Sequence, residues 1–222
     1  DITTNKTLLK GKTYSLENLV YVKGGATLTI EPGVIIRVFK GKNALVITRG
    51  SKIMAEGTAT EPIVLTSNEA SPAPGDWGGI IMLGNATANS SFNGNAGVGE
   101  IEGGINNAAG DGLYGGTNDN DNSGVIKYVR IEYGGYPFQP DKELNSLTMG
   151  GVGNGTVIDY VQCSYGGDDA FEWFGGTVNA KHLIAYKGLD DEFDTDNGFR
   201  GTVQFAIAIR DKDKADISGS NG

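Results

Sequence analysis

VIKYVRIEYGG (125–135) and VIDYVQCSYGG (157–167) share one pattern: a strand-forming run, an aromatic, a second run and a Gly pair. VNAKHLIAYKG (178–188) and VQFAIAIRDKD (203–213) fit the same frame, with starts 32, 21 and 25 residues apart. Behind two of these repeats, DDAFEWFGGTV (168–178) aligns with DDEFDTDNGFRGTV (190–203). Near the N-terminus, YVKGGATLTIE (21–31) matches VITRGSKIMAE (46–56) at an offset of 25. A strand-rich period of this length, punctuated by Gly, Asn and Asp, is that of one coil of a β-solenoid.

Leucine-rich repeats share the period, but their LxxLxLxxN skeleton is absent, as is any stretch with 3.6-residue periodicity. The short runs LTI (28–30), VIIRV (34–38), ALVIT (44–48), PIVLT (62–66) and GIIML (79–83) suit stacked parallel strands around a filled interior. The fold expected is all-β, a single parallel β-helix over residues 1–222. In this frame Val129, Val161, His182 and Ile207 form one inward column, and Ile131, Cys163, Ile184 and Ile209 another. Cys163 then reads as a buried, inert thiol, and His182 as a packed core histidine. Between Asn85 and Gly124 the pattern lapses into Gly, Asn, Ala and Ser, which predicts a long excursion from one coil. YPFQPDKELN (136–145) is a smaller one.

Composition narrows the partners. The 222 residues carry a net charge of −9, with no Lys/Arg cluster, which argues against nucleic acid and anionic membranes. No apolar run is long enough to span a bilayer. One cysteine excludes an internal disulfide, and with His182 the only histidine a His-clustered metal site and a Ser-His-Asp triad are nearly excluded.

The segments ATLTIEPG, AEGTATEPIVLTSN, GDWGGI, DNSGVIKYVRIEYGGYPF, GGVGNGT, DYVQCSYGGDDAFEWFGGTVNAKHL and DDEFDTDNGF resemble a family of secreted or surface-anchored β-helix proteins of Bacteroidetes. The resemblance runs over nearly the whole chain. It implies a right-handed, pectin-lyase-like β-helix and an extracellular or outer-membrane-surface location, and it supplies no mechanism. Members of the family continue past the point where this chain stops.

Five carboxylates crowd LDDEFDTDNGF (189–199): Asp190, Asp191, Glu192, Asp194 and Asp196. The internal alignment sets Asp168 beside Asp190, Asp169 beside Asp191, and Glu172 beside Asp194. At the ~4.8 Å spacing of adjacent strands, two carboxylates repel by roughly 3 kcal/mol at an effective dielectric of 20. Water, a proton, a cationic side chain (Arg200, Lys212 or Lys214) or a bound cation such as Ca²⁺ must offset this. NDNDNSG (118–124) offers Asp119, Asp121 and Ser123 at calcium-loop spacing, but Arg130 stands where a bidentate Glu belongs. The alternative to metal there is an Asn/Asp turn.

Two functions follow. One is a non-catalytic extracellular scaffold or adhesion module, calcium-stabilised and contacting a glycan or another surface protein, with Trp173 as the candidate sugar platform and Trp77 as a corner residue. The other is a polysaccharide lyase or glycoside hydrolase using Asp168, Asp190 and Asp194, because two carboxyls on neighbouring coils reach hydrolase separations. Against it, the polygalacturonase order of acidic elements is reversed here. The apolar strand at 203–210 is expected to be covered by further coils or a partner chain.

Overall fold

A computed structural model describes residues 1–138 and 143–214, and every regular element in them is a strand. The chain winds as a right-handed parallel β-helix. The first coils hold β1 (Lys6–Leu8) and β2 (Thr13–Leu16), then β3 (Leu19–Val22), β4 (Thr27–Ile30) and β5 (Ile35–Val38), then β6 (Ala44–Ile47), β7 (Lys52–Glu56) and β8 (Ile63–Ser67). In the next coil β9 (Ile80–Leu83) leads to two small hairpins, β10 (Ser91–Phe92) with β11 (Asn95–Ala96) and β12 (Gly99–Glu100) with β13 (Leu113–Tyr114), before β14 (Gly124–Glu132). The last coils pair a short strand with a long one: β15 (Leu147–Gly150) and β16 (Val157–Ser164), β17 (Phe171–Phe174) and β18 (Asn179–Tyr186), β19 (Phe193–Asp196) and β20 (Thr202–Ile209).

Two parallel sheets run the length of the stack. The short strands stack as β3-β6-β9-β15-β17-β19, and the remaining solenoid strands form a 10-stranded sheet. β14 pairs with both β7 and β8, so a long strand equals two strands of an early coil joined at a corner.

That corner locates a one-residue slip in the expected columns: the sequence alignment set Lys181 and Ala206 in the place of Tyr160, where the register sets His182 and Phe205. Each long strand bends at a residue of positive φ: Tyr128 (49°), Tyr160 (51°), His182 (51°) and Phe205 (61°). The left-handed residue breaks the period of two in all four strands alike and shifts none against its neighbour; the slip lies in where the repeats were set to begin, one place early at Val178 and one place late at Val203. Val161 therefore pairs with Leu183 and then Ala206, and Cys163 with Ala185 and then Ala208. The expected places of His182, Ile184, Ile207 and Ile209 in the inward columns are corrected accordingly. His182 is not a core residue. It is partly exposed, with Nδ1 2.7 Å from Asp159 Oδ1.

A bulky residue in this conformation costs about 1–3 kcal/mol. Ring stacking offsets it: Tyr128 on Tyr160 at 4.6 Å, Tyr160 on His182 at 4.3 Å, and His182 on Phe205 at 5.2 Å. Cys163 is buried as expected, and burial pushes its thiol pKa well up.

The interior is one continuous apolar column containing Ile30, Ile47, Ile53, Leu65, Trp77, Met82, Ile131, Met149 and Trp173. Trp77 is fully buried at a corner, its indole N–H donating to Glu132 O at 2.8 Å. A second core lies on the outer face of the short-strand sheet. There Ile101, Ile105, Tyr114 and Leu144 cover Val46, Ile81, Leu83 and Phe174. For this reason β6, β9, β15 and β17 are buried at every position.

The N-terminal coils clasp the covering segment. Tyr21 Oη donates to Ile105 O at 2.6 Å, Lys42 Nζ to Gly104 O at 2.8 Å, and Arg49 to Gly115 O at 3.1 Å. At the other end β20 is open: Phe205, Ile207 and Ile209 are exposed. What was expected to cover this strand lies outside the described residues.

Candidate functional site

Gly pairs build the corner that carries the acids. A Cβ on Gly135 would meet Asp168 N at 2.5 Å, and one on Gly167 would meet Gly135 O at 2.6 Å. Only glycine lets successive corners nest this closely, and the nesting brings the carboxylates after Gly167 onto one lip. Asp191 N–H donates to Asp169 Oδ1 at 3.1 Å, while Ala170 N–H donates to Asp191 O and Ser146 N–H to Asp169 O, each at 2.9 Å. Glu172 pairs with Asp194 in register on the outward face of β17 and β19. The sequence alignment of these coils is thus reproduced.

The outcome is two overlapping clusters, Asp168 with Asp169 and Asp190, and Asp169 with Glu172 and Asp194, whose oxygens lie within 4.8 Å of one another in each. Burial, then the fields of Asp168, Asp194, Asp190 and Asp191, raise the Asp169 pKa to about 9. Glu172 is 4 % exposed, and burial followed by Glu102, Asp169, Asp194 and Asp168 raises it to about 11. Asn145, itself 2 % exposed, touches Glu172 Oε2 through its amide nitrogen. Its Oδ1 is buried without a hydrogen-bond partner, as is Ser146 Oγ.

Two of the cations that the sequence placed near this lip pair elsewhere, Arg200 with Asp119 at 2.8 Å and Lys212 with its neighbour Asp213 at 2.8 Å. Arg210, which the sequence did not place here, pairs with Glu192 of the acidic stretch at 3.3 Å. Asp196 is exposed, and Asp191 contributes through its backbone.

Asp119, Asp121 and Ser123 are each engaged by protein partners. Asp119 accepts from Thr87 N and Oγ1 and faces Arg200; these contacts hold its pKa below the usual carboxylate range. Asp121 accepts from Asn85 Nδ2 at 3.0 Å and Ser123 Oγ at 3.2 Å. The trio fastens the two ends of the excursion to each other. Trp173 is fully buried between Phe171 and Phe199, so neither ring face is presented to a sugar.

Glu172 and Asp169 entered the sequence reading only as partners in an alignment, and Asn145 not at all. A signal for Glu172 was present: its outward column runs Val46, Ile81, Thr148, Glu172, Asp194, turning from apolar to acidic. Asn145 carried none, because it lies in a corner outside the repeats.

A family model described as a pectate-lyase like beta helix domain matches residues 1–222, and the chain belongs to that family. No curated protein matches, and no solved structure does.

Proposed function

From a pectate-lyase-like β-helix whose outer short-strand face is covered by its own chain, we propose a non-catalytic scaffold or binding module of the cell exterior. The observation that carries this reading is the second core. An enzyme that cuts within a polysaccharide needs an open cleft along several coils, and here Ile101, Ile105, Tyr114 and Leu144 occupy that face. Further support comes from Trp173, which is buried. The location is the one that the family resemblance implies. Calcium is the cation this reading calls for, and a surface glycan or protein the partner.

The second reading, a polysaccharide lyase or glycoside hydrolase, rests on Asp168, Asp169 and Asp190, whose oxygens lie within 4.8 Å of one another. One assay separates the two. The protein is incubated with polyuronides and neutral glycans, with and without calcium, while unsaturated products and new reducing ends are followed. Neither should appear. Product formed by the wild type and abolished in D168N would replace the scaffold reading with the enzymatic one.

A further inference from the structure

We propose that this chain stacks head to tail on a second copy of itself, the open edges of β19 and β20 on one copy pairing in parallel with β3, β1 and β2 of the next. The interface is heterologous, since the C-terminal face of one coil stack meets the N-terminal mouth of another, so it repeats along a line. Whether the module is catalytic has no bearing on it.

The strands at the two ends match. Among the described residues β19 and β20 are the last members of their sheets, and β3, β1 and β2 the first. β19 and β3 are each four residues long. The eight residues of β20 face three in β1 and four in β2. The molecule already makes such a join once, where β14 pairs with both β7 and β8. Followed strand by strand, one inward column runs from Leu8 to Val203. A second runs from Tyr14 to Ala208, and a third from Val20 to Phe193. A second copy set below the first therefore continues every column without a shift of register.

Shape and charge agree with the register. Leu8, Tyr14, Leu16, Val20, Leu28 and Leu45 line an apolar mouth of about 270 Å³ at the N-terminal end. On the opposite face the inward side chains Val203, Ala206 and Ala208 are partly or fully exposed, beside exposed Phe205, Ile207 and Ile209. Large side chains at the mouth thus meet small ones at the face, and the open backbone of each edge gains a partner. Charge sets the orientation. Residues 1–55 carry nine Lys and Arg against three acids, Asp1, Glu17 and Glu31. Residues 157–214 carry eleven Asp and Glu against six Lys and Arg, so that end stays negative even with Asp169 and Glu172 protonated. Opposite ends attract and like ends repel, which favours head-to-tail contact over either symmetric dimer.

Sedimentation velocity on the full chain is the test, with electron microscopy of the same samples. The wild type should pass from monomer to linear oligomers as concentration rises. With six strands in the short-strand sheet, each copy should add roughly 29 Å of length at ~4.8 Å per strand. Raising salt should slow assembly about tenfold, because steering acts on the encounter. Ala208→Glu puts a charge on the C-terminal face, and Val20→Glu puts one in the N-terminal mouth. Each variant alone should stay monomeric where the wild type assembles, with a melting temperature within a few degrees of the wild-type monomer's. Mixed, the two should form a one-to-one dimer and nothing longer, since one intact mouth and one intact face remain. Should Val20→Glu unfold, the wild-type and Ala208→Glu arms still decide. A wild type that stays monomeric as concentration rises overturns the proposal. So does an Ala208→Glu protein that assembles as the wild type does, or a folded variant that dimerises with itself.

Discussion

Asp76 is 1 % exposed, and its charge is held by three groups: Ser67 Oγ donates at 2.7 Å, Ala73 N–H at 3.0 Å, and Lys40 Nζ lies 3.1 Å away. Burial pushes its pKa up, but the Ala73 and Ser67 hydrogen bonds and Lys40 outweigh it and leave the carboxyl below its usual range. A folded pKa below the unfolded value means that the stability Asp76 contributes is present above the unfolded pKa of ~3.9. It is lost as pH falls through the folded pKa. Asp76→Asn should therefore destabilise the protein by about 2 kcal/mol at neutral pH. In urea unfolding series the gap between variant and wild type should narrow steadily from roughly pH 4 downward. A gap that stays constant with pH would show that Asp76 acts by shape alone. At this same scale His182 shows the limit of aligning repeats by sequence. The four strands repeat faithfully, but no one residue type marks their shared left-handed corner, which Tyr, His and Phe all fill, so the alignment slips by one place at His182 and at Phe205.

Among the elements, the excursion and the solenoid were not equally legible. The coils announce themselves because each must cover its neighbour with the same apolar positions, which forces repetition. The excursion folds on a few contacts of long sequence separation, and the sequence carries no period that marks them. Its small core nonetheless has a hinge point outside itself, Leu144. A Cβ on Gly78 would meet Leu144 Cδ1 at 2.5 Å, and the side chain itself is 2 % exposed. Leu144→Ala should cost about 2–5 kcal/mol, the range for a buried leucine whose site cannot fully collapse. The loss should be local. Amide exchange should accelerate at Ile101 and Ile105 while the inward strands β16 and β18 stay protected. Uniform acceleration across both would mean that excursion and solenoid unfold as one unit.

At the scale of the whole molecule, the question is whether the solenoid needs its cover. β14 keeps register with β7 and β8 although the excursion separates it from β9, so the coil closes as though the intervening chain were a short turn. Its equivalents are short: residues 48–51 connect β6 to β7, and residues 151–156 connect β15 to β16. Replacing residues 86–122 with a turn of the 151–156 type should leave the β-rich spectrum and a cooperative melt, because the inward core is untouched. What changes is the outer face. Tyr21, Val46, Ile81, Leu83 and Phe174 would lose their cover, creating a contiguous apolar patch of the kind that soluble monomers seldom expose. The shortened protein should bind an apolar dye and self-associate with rising concentration, while the parent does neither through this face. An unfolded product would mean that the stacked coils depend on the excursion for stability, and that the second core is part of the fold's foundation. A well-folded monomer that ignores the dye would mean that the face closes by other means, which the fully buried pattern of β6 and β9 argues against.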